Sequence, residues 1–405
     1  MTPRKIIRLC CFTIEGVNSF ATVLFFNYLY FLMQHQFGFG DRRNFALAAF
    51  LGAGYTVAAW QGGKFAQRHG YFLALKIGFS LMAAGLAAAF LFDDAPGKIA
   101  AAGCVTLGMC FVWPTLEALV SDGESAGQLP RAVGIYNVVW AVTNAASYFI
   151  GGTLIETFGY KIIFILPLAL VVGQLALVFW LQRQATEMAR EAVNSLTGPS
   201  APPPEPHRPA SPRARAFLRM AWLANPFAYI AINTLIAAMP GIAAKFHLSP
   251  MSVGFICTLW CFVRVGAFAA LWHWTNWHYR FGWLVAAFAA LIVSFAAILL
   301  SPSLLVLIVA QIFFGVAIGL IYYSSLFYSM DAGDAKGEHG GIHEAAVGVG
   351  NCLGPAVGAL SLQFLPGFPN SGAIAVTALL LCGLGGLWTM GRRRNEFNAG
   401  TRSGA

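Results

Sequence analysis

Long apolar runs alternate with short polar breaks along the whole chain. Runs of about 20 residues cover 12–35, 44–66, 71–92, 98–121, 131–155 and 160–182, then 217–243, 251–275, 279–300, 303–330, 341–364 and 370–391. An α-helix rises 1.5 Å per residue, so about 20 apolar residues cross the roughly 30 Å hydrocarbon core of a bilayer. The pattern predicts twelve transmembrane helices in two groups of six. Strands of a membrane barrel would be about ten residues long and alternate in polarity; these runs do neither. The first run starts within about ten residues of Met1. It is too long for a signal-peptide core, so it is expected to be a retained first helix.

One long break separates the groups. Residues 183–217, "RQATEMAREAVNSLTGPSAPPPEPHRPASPRARAF", are rich in Pro, Arg and Ser and poor in apolar side chains. Such a stretch cannot bury enough surface to fold alone and reads as a linker. The expected division is a first bundle over 1–182, a linker over 183–216, a second bundle over 217–391 and a tail over 392–405.

Composition sharpens the class. The chain is 58% hydrophobic and 10% charged, with a mean hydropathy of +0.67. Soluble domains carry about 25% charged residues, so this is an all-α membrane protein. The eight cysteines form no CxxC pair and have no His at metal-ligand spacing. They read as small packing residues, with no metal or cofactor implied. With the N-terminus placed in the cytoplasm, eighteen of the 25 Lys and Arg fall on that side. Lys76, near the start of the third helix, makes nineteen; five fall opposite (Arg42, Arg43, Lys98, Lys161 and Lys245), and Arg264 lies inside a helix. The asymmetry predicts cytoplasmic termini and a cytoplasmic linker. The net charge of +9 then reflects topology and contact with anionic lipid. A nucleic-acid partner would need a folded basic domain, and the chain has none. Short loops suit a bacterial inner membrane, and a monomer is the expected state.

The segment "RAVGIYNVVWAVTNAASYFIGG" holds two amides, Asn137 and Asn144, two helical turns apart on one face. A shift of 207 residues lays 134–152 over 341–359, "GIHEAAVGVGNCLGPAVGA". Gly134 meets Gly341, Gly151 meets Gly358, Asn137 meets Glu344 and Asn144 meets Asn351. Both halves hold six helices and start on the same side, so the repeat is parallel. Two such halves related by an axis along the membrane normal describe an alternating-access carrier. The repeated polar pair is expected to face the seam, because polar groups facing lipid are costly.

With this layout the chain resembles the major facilitator superfamily over nearly its full length. The loop "GGKFAQRHGYF" between the second and third helices carries part of the family's motif there. Gly63, Arg68 and Gly70 match, Gln67 stands where the family has Asp, and Tyr71 and Phe72 replace a basic pair. In the family this loop latches the halves through a charge pair. Gln67 cannot supply one, so the resemblance implies a weaker latch, or one built from Arg68 and nearby helix ends. The Gly-rich "GVGNCLGPAVGAL" and "SYFIGGTL" look like the family's close-packing stretches.

Four ionisable residues lie in apolar runs: Glu15, Glu117, Glu344 and Arg264. Each costs roughly 2.5–3.5 kcal/mol at a helix centre, so each needs a partner or water. Glu15, Asn18 and Thr22 form one polar stripe. "WPTLEAL" puts Glu117 one turn after Pro114, which is expected to kink its helix. "GLIYYSSLFYSMD" clusters Tyr322, Tyr323, Ser324, Ser325 and Tyr328. The family resemblance implies that the first, fourth, seventh and tenth helices line the central cavity. It thereby nominates Glu15, Asn18, Glu117, Asn233, Tyr323 and Ser324. Alternatives stay open for each group. Glu117 has Arg131 as a loop partner, Glu15 has Arg8, and Arg264 has Glu344 if their helices adjoin. His343 is a proton-relay member or a helix-start residue. Trp113, Trp140 and Trp260 stack on a ligand or simply pack. The candidate solute and proton route is therefore Glu15, Asn18, Glu117, Asn137, Trp140, Asn144, Arg264, Tyr323, Ser324, His343, Glu344 and Asn351. The candidate gating loop is Gly63, Gln67, Arg68 and Gly70.

The expected function is secondary transport of a small organic solute, coupled to protons because a carboxyl in a low-dielectric site can bind a proton near neutrality. An uncoupled facilitator is the alternative within the fold. A non-transporting sensor or assembly protein is favoured only by Gln67. An intramembrane enzyme is disfavoured, because HExxH, GxSxG and a paired Asp motif are all missing from the membrane helices.

Overall fold

The computed structural model describes residues 3–121, 129–194, 211–332 and 336–400. These residues form thirteen helices. The first six are α1 (Pro3–Phe37), α2 (Asp41–His69), α3 (Tyr71–Leu91), α4 (Ala95–Ser121), α5 (Leu129–Phe158) and α6 (Ile162–Asn194). The rest are α7 (Pro212–Lys245), α8 (Pro250–Ile256), α9 (Leu259–His273), α10 (Phe281–Leu300), α11 (Leu304–Ala332), α12 (Lys336–Phe364) and α13 (Ser371–Gly400). The short α8 and α9 make one crossing broken at Cys257 and Thr258, which gives twelve crossings. Eleven of these are long and apolar enough to span a membrane. The exception is α2, whose ends carry "DRRN" and "QGGKFAQRH". It packs against α4 of its own bundle and against α12 of the other, and exposes Phe50, Val57 and Trp60 on its outer face.

The 207-residue shift seen in one segment holds for the whole fold. It carries α1 onto α7, α2 onto α8 and α9, α3 onto α10, α4 onto α11, α5 onto α12 and α6 onto α13, each to within a few residues. The protein is therefore two like-oriented six-helix bundles with pseudo-twofold symmetry, as the single repeat predicted.

Local sequence sets the helix ends. Ser211–Pro212 starts α7 and Ser249–Pro250 starts α8. In each, the serine oxygen accepts a backbone N–H of the first turn, and proline sits where its missing N–H costs nothing. Gly70 joins α2 to α3 at φ +95°, a backbone angle side chains resist. Pro114 does not break α4, which runs on past it to Ser121.

The two bundles meet along a seam, tightest at the end away from the chain termini. A Cβ on Gly152 of α5 would overlap the carbonyl of Pro250 at the start of α8. Gly254 packs on the backbone of Phe149. On the other flank, Gly52 of α2 lies against the backbone of Asn351 and Cys352, and Gly348 of α12 lies against Thr56. Such close approach needs residues without side chains. Arg42 closes the rim with a 2.6 Å hydrogen bond to Gln363, and Glu156 accepts the Met251 N–H at 2.8 Å.

Candidate functional site: a polar cavity on the seam

Side chains of α1, α2, α4, α5, α7, α9, α11 and α12 enclose a cavity holding about 1180 Å³ of empty space, its open mouth included. It lies between the bundles. Fixed hydrogen bonds orient the walls. Tyr28 of α1 donates to the Tyr148 carbonyl at 2.6 Å and Ser147 of α5 donates to the Phe20 carbonyl at 2.7 Å, clamping α5 on α1. Gln311 of α11 donates to the Ile256 carbonyl at 2.9 Å, at the break between α8 and α9. That bond sets the direction of α9, which carries Arg264.

One wall is acidic. Glu15 is fully buried. It accepts the Tyr136 hydroxyl at 2.7 Å and the Ser19 hydroxyl at 2.9 Å. Glu344 accepts the Tyr55 hydroxyl. Glu117 and Glu344 both line the cavity and lie close enough to interact electrostatically. Glu117 belongs to the first bundle and Glu344 to the second, so this interaction spans the seam. Two ionised carboxylates there would repel each other in a medium of low dielectric.

The facing wall is aromatic and basic. Arg264 is 2% exposed. Its guanidinium lies over Trp140 at 4.4 Å and over Trp260 at 5.2 Å. Tyr322 stacks on Trp140 with centroids 5.4 Å apart, and donates to Asn137 at 3.0 Å. Each of these contacts except that with Trp260 crosses the seam.

Of the residues nominated from sequence, Glu15, Glu117, Trp140, Asn144, Arg264, Glu344 and Asn351 line the cavity. Asn137 stands just behind its wall, held by Tyr322. Asn351 accepts from Asn233, also on the lining. Asn18 is fully buried outside the lining, and its side-chain oxygen and nitrogen meet no partner. Tyr323 and Ser324 also lie off the cavity. Tyr323 packs on Trp277 and Phe268, and Ser324 donates to its own helix at the Leu320 carbonyl. One residue is about 100° of helix, so Tyr322 faces inward and its neighbours do not. The side chain of His343 lies outside the described residues. Arg264 and Glu344 form no ion pair among the described residues. The two tryptophans take the guanidinium, while the Tyr55 hydroxyl donates to the carboxylate. In the loop, Gly63 is buried and Gln67 and Arg68 are exposed. Neither side chain forms a hydrogen bond or ion pair with a described residue.

Sequence reading overlooked Tyr55, Tyr136 and Tyr229. Each is a phenol within an apolar run, and a buried hydroxyl usually finds a partner. That signal was available, but it does not name the partner.

A multi-pass helical membrane protein with a polar cavity between two like-oriented bundles has the architecture of a solute carrier. The chain belongs to the Major Facilitator Superfamily, whose family model matches residues 11–355. No curated protein matches the chain. Among solved structures it is similar to the human organic anion transporter MFSD10 (TETRAN), with a TM-score of 0.67 and 14% identity, over 96% of this chain and 100% of that one. It is similar to a bacterial homolog of the human lysosomal transporter Spinster, inward-facing and unoccupied, with a TM-score of 0.67, 12% identity and 96% of each chain covered. A structure from work on proton-dependent oligopeptide transporters matches with a TM-score of 0.64 and 15% identity, over 96% of this chain and 99% of that one. At these identities the likeness establishes the fold.

Proposed function

We propose that this protein is a proton-coupled secondary transporter that carries a small organic solute through the seam cavity by alternating access. The observation that carries the reading is the placement of Glu117 and Glu344, one from each bundle, together on the cavity wall. A proton shared between them would join the two bundles. Loss of that proton turns an attraction between the bundles into repulsion between two carboxylates in a medium of low dielectric. Proton occupancy and the relative tilt of the bundles are then one equilibrium, as coupled transport requires. Glu15, held by Tyr136 and Ser19, is a second proton site on the same wall. A sensor or scaffold has no use for three buried carboxyls around a void.

Charge asymmetry places the termini and the 183–216 linker in the cytoplasm. The seam's close packing then lies at the outer end, which corresponds to an inward-open arrangement. The solutes named for the similar structures differ from one another, so they do not select one for this chain.

A thermal-shift screen of the purified protein against metabolites identifies a solute, and liposome uptake of that solute with and without a pH gradient is the decisive measurement. The wild-type chain concentrates solute only when the gradient is imposed. Glu344→Gln keeps a hydrogen-bonding side chain without a titrating proton, so it still exchanges solute and no longer responds to the gradient. Wild-type uptake that ignores the gradient would reduce the protein to a facilitator.

A further inference from the structure

The guanidinium of Arg264 is held in an unusual way. Its faces lie against Trp140 and Trp260. Its residue is 2% exposed. No carboxylate pairs with it among the described residues. Two of its nitrogens, Nε and Nη2, are buried without a hydrogen-bond partner among the described residues. These two are not an arbitrary pair. In a planar guanidinium the Nε–H and one Nη2–H lie on the same edge and point in parallel, the fork that receives both oxygens of a carboxylate. A buried guanidinium edge without an acceptor is a costly arrangement, and this one belongs to a residue lining the cavity.

We infer that Arg264 is the anchor of the solute site and takes the carboxylate of a planar, aromatic or unsaturated organic acid through its Nε/Nη2 edge. This deepens the transporter reading and rests on the cavity being the solute site. The rings on the lining set the shape of the rest of the ligand. Trp140, Tyr322 and Tyr229 line the same cavity as Arg264, with Trp140 stacked on Tyr322 at 5.4 Å. A flat apolar body attached to the carboxylate has ring faces to lie against. Asn144 and Asn233 offer further polar contacts on the lining. Tyrosine and serine hydroxyls hold two of the cavity's acids, Tyr136 and Ser19 on Glu15 and Tyr55 on Glu344, and none of the acids forms an ion pair with Arg264 among the described residues.

Occupancy also bears on movement. Arg264 is in the second bundle and Trp140 in the first, so their contact is a seam contact. A bound carboxylate neutralises the guanidinium and weakens its attraction to the ring of Trp140. Binding thus loosens one of the links that must break for the bundles to rock.

The test uses the full-length chain in detergent micelles and isothermal titration calorimetry. The probes are benzoate, salicylate and indole-3-acetate, each against its neutral amide, with phenyl phosphate as a further arm. At least one acid should bind saturably, and at least tenfold more tightly than its amide. Arg264→Lys keeps the charge and loses the fork. It should weaken the acid at least tenfold and leave the amide unchanged, with a gel-filtration profile like that of the parent. If the variant aggregates, the acid-against-amide comparison on the parent chain decides alone. Acids that bind no better than amides, acids that bind the lysine variant equally well, or no saturable binding by any acid would overturn the assignment. Phenyl phosphate binding more tightly than benzoate would overturn the choice of carboxylate. Because binding is read without flux, the two proposals fail separately. Arg264-dependent binding with gradient-blind uptake sinks proton coupling only. Gradient-driven uptake that ignores Arg264→Lys sinks the anchor only.

Discussion

Helices α5 and α12 occupy equivalent places in the two bundles, and the seam treats them alike up to one atom type. At the shared position, Asn137 of α5 accepts a hydroxyl from Tyr322 of the second bundle. Glu344 of α12 accepts a hydroxyl from Tyr55 of the first bundle. Each helix therefore ties itself to the opposite bundle through a tyrosine. The tyrosines are not themselves equivalent under the 207-residue shift, which pairs Tyr55 with Phe262 and Tyr322 with Thr115. What the repeat keeps is the acceptor. The amide accepts at every pH, whereas the carboxyl is a group that can take up or release a proton, with Glu117 also on the lining. On the proposed proton-coupled reading, one side of the seam is a fixed hinge contact and the other is a switch. One asymmetric acceptor in a symmetric architecture would then let the rocking motion sense protons.

The two helices also share a mechanical feature, and breaking it should have the largest effect. Gly152 of α5 packs on the Pro250 backbone and Gly348 of α12 on the backbone of Thr56. A side chain at either place overlaps backbone rather than a movable tip. Overpacking costs about 1–3 kcal/mol, which shifts an equilibrium by roughly 5- to 150-fold. Gly152→Leu and Gly348→Leu should each depopulate the arrangement in which the bundles pack this closely by that factor. Spin-label distances across the seam measure it, and uptake should fall with it. Similar distance distributions in variant and parent would mean that the glycines serve packing within the bundle alone.

The sequence carried the frame of this site further than its contents. Twelve crossings, two bundles and the seam-facing helix pair were legible because burial in lipid forces long apolar runs and because the repeat preserved Gly134, Gly341, Asn144 and Asn351. Which face of a helix looks inward was less legible. Tyr322, Tyr323 and Ser324 are adjacent in sequence and point in three directions, and periodicity cannot choose among polar residues in a row. Partners were the least legible. Charge counting matched the lone base Arg264 with the nearby acid Glu344, whereas the fold supplies each with other company, tryptophans for one and a tyrosine with a second acid for the other. Opposite charges attract at long range, but the walls that hold Arg264 and Glu344 apart are set by the packing of several helices. Asn18 and its repeat equivalent Asn225 are both buried with a side-chain oxygen that meets no hydrogen-bond partner among the described residues.

The smallest predicted effect tests the comparison itself. Tyr55→Phe and Tyr322→Phe each remove one hydroxyl from the seam and preserve ring packing. A hydrogen bond to a charged group is worth about 1.5–3 kcal/mol, and one between neutral groups about 0.5–1.5 kcal/mol. Asn137 is neutral, so Tyr322→Phe should lose about 1 kcal/mol or less. Tyr55 donates to a carboxyl, so Tyr55→Phe should lose more, and its loss should grow with pH as that carboxyl ionises. Equilibrium unfolding in mixed micelles by SDS titration, repeated at low and high pH, reads both differences. Equal losses that do not change with pH would show that the acid and the amide play the same part, and the switch would have to lie elsewhere than at Glu344.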